Sequence, residues 1–576
     1  MPSISFIDRD KVVMTLIKER CKLADKQAEI NQHEEFLSRQ CVKTKGNRYL
    51  ERDIYKMFPP RREWCSLGKR RQQLDSVKRN EYRLKYTYLQ EKRVKCEENW
   101  YLKLCEYADK VVKMANTQTG SIPPPKVAVI EKKMDANDKK VHYRPICTFP
   151  SEIKIVLSLL NKFLSRILDD YFFDCSYAFR TKKMGFKLQH LNAVNAVREY
   201  RKKHECDALY VAECDMKKFY DTISHDLIKE RFSILLGRAV RDGKILSYEA
   251  RVVKNWVYMY VDCFDFRKNV HMNNQKPSTD KFWNLHVKDA ASWKCQIDWV
   301  DELSKIKGNK IRGKVGVPQG GALSGLIANI VMHNVDKVVL RNIGEEDILY
   351  CRFCDDMIMV GTDKEKISAV FKAYERAIHS SKLFSHSNMM SVKRASDFWD
   401  GKTRGPYEWG IKGKDTYPWI TFVGFDINWR GDMRIRKPSF KKHLKKQYEI
   451  ANELLLPYTK GQRPRYSADT IMSSLYSRLI CMSIGRVNLW NYKHFDNKCS
   501  WMSAFSILDE NPWSVSQMKR LDGHRNAILK RAREVLTKLD CPAVKKKDNS
   551  HQSGEGGCYN FYGSPYSYYG QCFVYK

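Results

Sequence analysis

Two adjacent carboxylates, Asp355 and Asp356, stand between the largely apolar runs 349–353 and 357–361. Apolar runs of this length around a short polar break predict a strand, a tight turn and a second strand. Burying two carboxylates between hydrophobic strands is costly unless a cation compensates their charge. The pair therefore favours a divalent metal site with oxygen ligands, although Asp-Asp is also an ordinary turn sequence.

Two segments upstream add to this pattern. In residues 211–223 an apolar run leads to Asp215, and a helix carrying His225 and Leu227 follows. In residues 316–329 a glycine-rich turn runs directly into an apolar helix. Carboxylates at the ends of apolar runs are candidates for one shared site, provided that the fold brings those ends together.

The order of these blocks resembles the palm of reverse transcriptases, in particular the bacterial lineages related to group II introns and retrons. The resemblance covers roughly residues 120 to 440. It implies an α+β fold, the right-hand polymerase with fingers, palm and thumb, with a helical N-terminal extension and a helical C-terminal region. The matching residues, block by block, are Asp215, Phe219, Tyr220 and Asp221; Pro318, Gln319 and Gly320; Phe353, Cys354, Asp355 and Asp356; and residues 422–427 with Gly431 and residues 434–436.

The resemblance implies an RNA-directed DNA polymerase, a nucleotidyltransferase that works by two-metal phosphoryl transfer. Such catalysis is mostly positioning and charge neutralisation, with two metal ions about 4 Å apart. The implied cofactor is a pair of Mg²⁺ ions, with Mn²⁺ as a substitute. Asp215 and Asp355 are expected to bridge the ions, Asp356 to support them, and the main-chain carbonyl of Met216 to contribute.

Five residues receive nucleotide-binding roles from the resemblance. Tyr220 matches the aromatic residue below the sugar, whose ring would collide with a 2′-hydroxyl, so deoxynucleotides are preferred. Gln319 matches the glutamine that positions the template or the incoming nucleotide. Arg144 matches the finger arginine that grips the triphosphate, with Lys132 as a second phosphate contact and Lys393 as the lysine that follows the aspartate pair.

The sequence departs from the family pattern at three places. Phe353 and Cys354 replace the usual tyrosine and small residue, and Ser324–Gly325 stands where the bacterial enzymes commonly carry Ser-Pro. Ser-Gly is closer to viral RNA-dependent RNA polymerases. Tyr220 and the primer-grip match favour DNA synthesis over RNA synthesis, and we expect activity to survive both changes before the aspartates.

The segment after the palm supplies the expected primer and template contacts. Phe422 and Gly424 match the primer-grip hairpin of the family. Pro438 then opens a predicted helix with a basic face, which includes Lys441 and Lys445. In the family this is the thumb that follows the duplex backbone, whereas a charge run by itself is usually a solvated face.

Bulk composition agrees with a nucleic-acid enzyme. The 576 residues include 104 Lys plus Arg against 67 Asp plus Glu, a formal net charge of +37. Such an excess attracts phosphate backbones, so we expect an RNA template and a DNA product as partners. The absence of long apolar runs predicts no membrane span, and scattered cysteines predict free thiols in the cytoplasm.

Composition also predicts the organisation of the chain. We expect a helical N-terminal extension at 1–118, fingers and palm at 119–435 with an insertion at about 237–312, a helical thumb and C-terminal domain at 436–545, and a flexible tail at 546–576. The extension is expected to grip structured RNA, to form a protein interface, or to cover the palm.

The tail carries a row of aromatic residues between glycine, serine and asparagine. One hypothesis is protein priming, in which a tyrosine supplies the first hydroxyl for DNA synthesis; a subunit contact and a stacking surface for single strands are the alternatives. The candidate priming residues are Tyr559, Tyr562, Tyr566, Tyr568, Tyr569 and Tyr575.

Among bacterial reverse transcriptases, the architecture most resembles the abortive-infection and defence-associated groups. That resemblance implies anti-phage defence, a companion non-coding RNA as template, and a homo-oligomer. One alternative is a DNA polymerase that makes untemplated or homopolymer products from the same active site. The other is a non-catalytic RNA-binding scaffold or toxin-like effector, against which the intact aspartates count.

Overall fold

The computed structural model describes residues 5–36, 53–68, 76–94, 97–117, 121–132, 142–181, 189–271, 313–386, 401–411, 416–461, 467–484, 507–508 and 511–539. These residues fall into two compact units. The first comprises Met1–Val12 with Ala108–Trp419, and the second comprises Val13–Tyr107 with Ile420–Lys576. The domain boundaries expected from composition stay a prediction.

Helices account for most of the regular structure, and strands form three small sheets. The helices are α1 (Arg9–Phe36), α2 (Asp53–Lys56), α3 (Ser76–Val94), α4 (Asn99–Thr117), α5 (Ser151–Leu168), α6 (Gln189–Lys203), α7 (Phe219–Thr222), α8 (His225–Arg241), α9 (Ser247–Asp262), α10 (Ser324–Ile343), α11 (Lys364–Ser380), α12 (Lys437–Thr459), α13 (Ala468–Ile484) and α14 (Pro512–Thr537). The strands are β1 (Lys126–Lys132), β2 (His142–Thr148), β3 (Leu209–Cys214), β4 (Ile348–Phe353), β5 (Asp356–Gly361), β6 (Arg404–Trp409), β7 (Thr416–Tyr417), β8 (Trp419–Phe422), β9 (Phe425–Asn428) and β10 (Met433–Ile435). Short 3₁₀ turns lie at Arg61–Glu63 and Asp169–Tyr171, and a π turn lies at Arg267–His271.

The first unit is built on a five-stranded sheet in the order β4-β5-β3-β6-β7. All neighbouring strands are antiparallel except β6 and β7, which are parallel. Helices α10 and α11 pack together, and α11 also packs on β3, β5 and β6. The strand, turn and strand predicted around the aspartate pair are confirmed as β4 and β5, and the mixed helix-and-sheet fold class is confirmed with them.

A hairpin of β1 and β2 belongs to the same unit, with Ile130 paired to Arg144 and Lys132 to His142. The main-chain NH of Cys147 on β2 donates to the carbonyl of Gln319 at 2.7 Å. This close approach requires glycine at position 320, where φ is +90° and a Cβ would lie 3.2 Å from Ile146. The glycine-rich turn is therefore fixed to the hairpin.

The second unit combines a three-stranded sheet with a helical core. The sheet has the order β10-β9-β8, and residue Gly424, with φ of +91°, lies in the turn between β8 and β9. Helices α12, α13 and α14 pack around a shared apolar cluster that includes Leu454, Leu475 and Leu529. The basic-faced helix predicted after Pro438 is confirmed, since Lys441, Lys442, Lys445 and Lys446 are exposed while His443 and Gln447 are buried.

The predicted helical character of the N-terminal region is confirmed in α1, α3 and α4, in which α3 ends at Val94 and α4 begins at Asn99. Across the described ranges, no helix combines the length and apolarity needed to cross a bilayer.

Candidate active site

The pairing of β3 with β5 brings two of the predicted metal ligands to the same end of these strands. The last paired residues are Cys214 and Met357, so Asp215 leaves β3 beside the turn that carries Asp355 and Asp356. That turn is tight because Cys354 adopts φ of +64°, an unusual conformation for a residue with a side chain. Strand order therefore places together carboxylates that are 140 positions apart in the chain (355 − 215).

The charge of Asp215 acts directly on Asp355. Burial, and then the negative charge of Asp215, raise the pKa of the Asp355 carboxyl. Mutual repulsion of two partly buried carboxylates is the condition that a bound cation relieves. Asp356 is exposed at the start of β5.

A lysine that sequence reasoning missed already supplies positive charge here. The Lys402 ammonium lies 3.2 Å from a carboxylate oxygen of Asp215 and also lowers the pKa of Asp355. The ring of His386 lies 3.9 Å from the same carboxylate, but burial lowers the pKa of His386, so its charge is weak at neutral pH. Lys402 follows 46 residues after Asp356 (402 − 356), and no local motif marked it.

The main chain around Asp215 is held by the segment after α11. The carbonyl of Asp215 accepts from the NH of His386 at 3.2 Å, and the NH of Lys217 donates to Phe384 at 2.7 Å. Met216 is buried and forms an isolated bridge with Ser385. Its predicted role as a carbonyl ligand stays a prediction.

The donor set around Asp215 and Asp355 fits magnesium, which binds through one or two carboxylates and takes its other ligands from phosphate and water. Within the described residues, no three His, Cys, Asp or Glu side chains converge closely enough to hold a metal ion. The fit therefore depends on two facing carboxylates, and Asp356 keeps only its predicted supporting role.

Tyr220 lies next to the turn that carries the two aspartates, and its sugar-facing role stays a prediction. Its hydroxyl lies 3.0 Å from the Cys354 thiol, and its carbonyl accepts from Val317 at 2.8 Å. Burial, followed by the neighbouring Cys354, raises the pKa of Tyr220, so the phenol is neutral. The side chain of Tyr220 thus contacts the aspartate turn, and its main chain is bonded to the glycine-rich turn.

Gln319 contacts Asp221, a residue to which sequence analysis gave no role. Its side-chain NH₂ donates to the Asp221 carboxylate at 2.7 Å. The positive charge of Arg144 also acts on Asp221, so the structure brings Arg144, Gln319 and Asp221 into one neighbourhood. Asp221 belongs to the first motif block of the sequence. Its burial and its hydrogen bond with Gln319 are seen only in the structure.

Asp221 gives a prediction about pH. Burial raises the pKa of Asp221 from 3.8 to about 6. The folded chain therefore holds this proton more tightly than the unfolded chain, and the associated stability is lost as pH rises from about 4 to about 6. Asp221→Asn does not ionise and keeps an oxygen for Gln319. As pH rises across this window, the melting temperature of Asp221→Asn should increase relative to that of wild type and then level off. The total gain in stability over wild type should be about 3 kcal/mol. Parallel melting curves between pH 4 and pH 8 would contradict the assignment.

Lys402 gives a second prediction. Because its ammonium competes with a metal ion for Asp215, Lys402→Met should lower the Mg²⁺ concentration for half-maximal activity. An exposed ion pair contributes at most about 1 kcal/mol, so the shift should reach about fivefold at most. Magnesium titration of primer extension measures it, with Lys364→Met, an exposed lysine on α11, as the matched control. An unchanged or higher requirement in Lys402→Met would rule out the competition.

A buried ion pair beneath the catalytic turn was also missed. The Arg352 side chain is fully buried and Asp336 is 2% exposed, with 2.7 Å between Nη2 and Oδ2 and 2.8 Å between Nε and Oδ1. Arg352 also donates to the Cys354 carbonyl at 3.0 Å. An arginine within an apolar strand was the available signal, and its partner on α10 was not predictable from the strand alone.

The remaining predicted residues are placed as follows. Lys132 ends β1, opposite His142, and Arg144 is exposed on β2. Phe422 is buried at the end of β8 in the second unit, which also contains Gly424, Lys441 and Lys445. Lys393 and the tail tyrosines Tyr559, Tyr562, Tyr566, Tyr568, Tyr569 and Tyr575 lie outside the described residues.

Two departures from the family pattern acquire structural reasons. Gly325 accommodates the ring of Phe179, whose carbons lie within 2.8 Å of the position that a Cβ would take. Cys354, which stands where the family usually has a small residue, places its thiol against the Tyr220 hydroxyl, whereas the thiol of Cys351 on β4 contacts Tyr177.

Part of the amino-acid sequence matches a known protein family. Residues 232–388 match the family model described as "Reverse transcriptase (RNA-dependent DNA polymerase)". The match contains the glycine-rich turn and Asp355, and it begins after Asp215. Residues 232–388 of the chain therefore form a reverse transcriptase domain.

Among solved structures, the chain is similar to two yeast telomerases. Telomerase of Candida albicans with a fragment of telomeric RNA has 13% identity and a TM-score of 0.32, over 76% of this chain and 63% of that chain. Apo telomerase of Candida tropicalis has 16% identity and a TM-score of 0.33, over 73% of this chain and 57% of that chain. The chain thus spans less than two thirds of either telomerase, and these scores are too low to establish a shared fold. No curated protein sequence matches the chain.

Proposed function

We propose that this protein is a magnesium-dependent RNA-directed DNA polymerase that adds deoxynucleotides to a 3′ hydroxyl. The single observation that most supports this is that Asp215 and Asp355 lie at the same end of the paired strands β3 and β5. There, burial and the negative charge of Asp215 raise the pKa of Asp355. The reverse transcriptase domain at residues 232–388 contains Asp355 and supplies the reaction class.

In the proposed mechanism, Asp215 and Asp355 would hold the Mg²⁺ ions, whose positive charge would favour ionisation of the attacking hydroxyl and offset the negative charge of the leaving pyrophosphate. Arg144 binds the triphosphate from the β1–β2 hairpin. Tyr220 supports the deoxyribose, and Gln319, oriented by Asp221, positions the template or the nucleotide. Each of these side chains acts by binding or orienting, which is the main requirement of phosphoryl transfer.

The proposed partners follow from charge. The exposed lysines of α12, Lys441 and Lys445 among them, present a basic face to a phosphate backbone, and the chain as a whole carries +37. This supports a nucleic-acid duplex of RNA template and DNA product as the bound species, with salt-dependent affinity.

The test of this function uses the purified full-length chain with its co-purifying nucleic acid. We expect deoxynucleotide incorporation that requires Mg²⁺ and a product complementary to the RNA. Homopolymer or untemplated product would support the alternative polymerase instead. No incorporation, together with full biological effect after replacement of both Asp355 and Asp356 by alanine, would support a non-catalytic scaffold.

We further propose that the activity serves anti-phage defence in the cytoplasm of a bacterium, with a structured non-coding RNA as template and a homo-oligomer as the working form. The long helical region before β1 and the extra segment at about 237–312 support this subgroup. Plaque assays should show protection that is lost in Asp355→Ala. Equal protection by the variant would contradict the role of DNA synthesis.

The proposed initiation step uses a tyrosine hydroxyl of segment 558–576 as the primer. Six tyrosines in this short segment support it. Protein-linked DNA on the C-terminal peptide is the expected result, and unchanged initiation after deletion of 558–576 would contradict it.

A further inference from the structure

A cysteine contacts the residue expected to discriminate between the sugars of incoming nucleotides. The thiol of Cys354 lies 3.0 Å from the hydroxyl of Tyr220, across 134 positions of sequence. Cys354 immediately precedes Asp355, so the bond joins the sugar-facing ring to the metal-binding turn. A small residue without a hydrogen-bonding group at position 354 would leave this hydroxyl without that partner.

The thiol is itself held in place. Cys354 is 7% exposed, and its backbone is fixed at φ of +64°. Its carbonyl accepts a hydrogen bond from Arg352 at 3.0 Å, and Arg352 is secured by the buried carboxylate of Asp336. A left-handed conformation in a residue with a side chain persists only where the surroundings fix it, and this ion pair does so.

The ring of Tyr220 has a second contact, and the backbone that carries it is fixed. Phe219 packs against the ring edge-on, with 5.3 Å between ring centroids, and the main-chain carbonyl of Tyr220 accepts from the NH of Val317. Either the thiol of Cys354 or the hydroxyl of Tyr220 can be the donor of their hydrogen bond.

We propose that the Cys354–Tyr220 hydrogen bond sets the stiffness of the sugar-discriminating ring, and that Cys354 is a specificity-determining residue for deoxynucleotides over ribonucleotides. The inference rests on the proposed polymerase function. Exclusion of a 2′-hydroxyl by a ring depends on how far the ring can move, and a hydroxyl fixed at its far end restricts that movement. Cys354 acts through Tyr220 and is a positioning residue.

The experiment compares kcat/KM for a deoxynucleotide and for the matching ribonucleotide on one primer–template. We expect Cys354→Ala to reduce this ratio about 2- to 12-fold, which corresponds to the net 0.5–1.5 kcal/mol of one hydrogen bond. Tyr220→Phe, which keeps the ring and removes the hydroxyl, should give a similar reduction. Because both changes remove the same bond, the double variant should show no further loss.

Two variants separate this role from general damage to the strand. Cys354→Ser keeps a hydrogen-bonding group of similar size and should restore most of the ratio. Cys351→Ala removes the thiol of the preceding strand β4, which bonds to Tyr177, and should leave the ratio at the wild-type value. A structural role alone would lower activity with both nucleotides together and leave the ratio unchanged.

The outcomes distinguish this inference from the function on which it depends. If the wild-type protein adds neither nucleotide, the proposed polymerase function fails. If the wild type adds deoxynucleotides and the ratio in Cys354→Ala equals the wild-type ratio, the inference fails while the function stands. Additive effects of Cys354→Ala and Tyr220→Phe would also overturn it.

Discussion

Replacement of Asp355 by asparagine should abolish DNA synthesis while making the metal-free protein more stable. The activity falls because an amide is a weak ligand for Mg²⁺ and cannot balance its charge. Loss of metal-dependent charge stabilisation is worth several kcal/mol, so we expect a decrease in kcat of about 10³-fold or more. Primer extension at saturating Mg²⁺ measures this effect.

The stability should change in the opposite direction for an electrostatic reason. Burial and the charge of Asp215 raise the pKa of Asp355, so the folded chain binds this proton more tightly than the unfolded chain. Stability from this group is present below the unfolded pKa of about 4 and is lost as pH rises through the folded pKa. At neutral pH without metal, the uncharged side chain of Asp355→Asn removes the repulsion by Asp215. The melting temperature of the variant should therefore exceed that of wild type.

A matched control is Glu365→Gln, which neutralises an exposed carboxylate in the first turn of α11. It should leave both kcat and the metal-free melting temperature near wild-type values. If Asp355→Asn kept a substantial part of its activity, Asp355 would not be a metal ligand. A lower melting temperature with full loss of activity would show that the carboxylate is stabilised by a partner other than metal.

Asp336→Asn should be among the most destabilising single substitutions in the first unit. Removal of one partner from a buried ion pair leaves the other charge uncompensated, at a cost of about 3–5 kcal/mol. Here the remaining charge would be the guanidinium of Arg352, which is fully buried beneath the catalytic turn. Tyr350 would also lose the carboxylate to which its hydroxyl donates at 2.8 Å. Urea titration and melting temperature measure the loss.

The ion pair between Lys366 and Glu346 provides the comparison. Its side chains are 50% and 45% exposed, and such surface pairs contribute about 0–1 kcal/mol. Glu346→Gln should therefore change stability far less than Asp336→Asn, although each removes one carboxylate from one ion pair. Equal effects of the two substitutions would mean that Arg352 is stabilised by other groups in the folded protein.

Local sequence was enough to define the chemical elements of the site. Apolar runs on both sides of Asp355 specified two strands and a tight turn, because side-chain burial on a short strand depends on that pattern. The glycine-rich turn before α10 was equally visible, since only glycine fits φ of +90° at position 320 against β2. Pro438 and the lysines after it predicted α12 and its basic face from helical spacing.

Tertiary structure alone decided which groups act on these elements. Lys402 meets Asp215, Asp336 compensates Arg352, and Cys354 bonds to Tyr220, each across a separation in sequence that no periodicity encodes. The pKa of Asp221 depends on its burial, and burial is a property of packing. Secondary structure arises from neighbours along the chain, whereas electrostatics and hydrogen bonding depend on distances in space. Those distances are set only when β3, β5 and α10 have packed together.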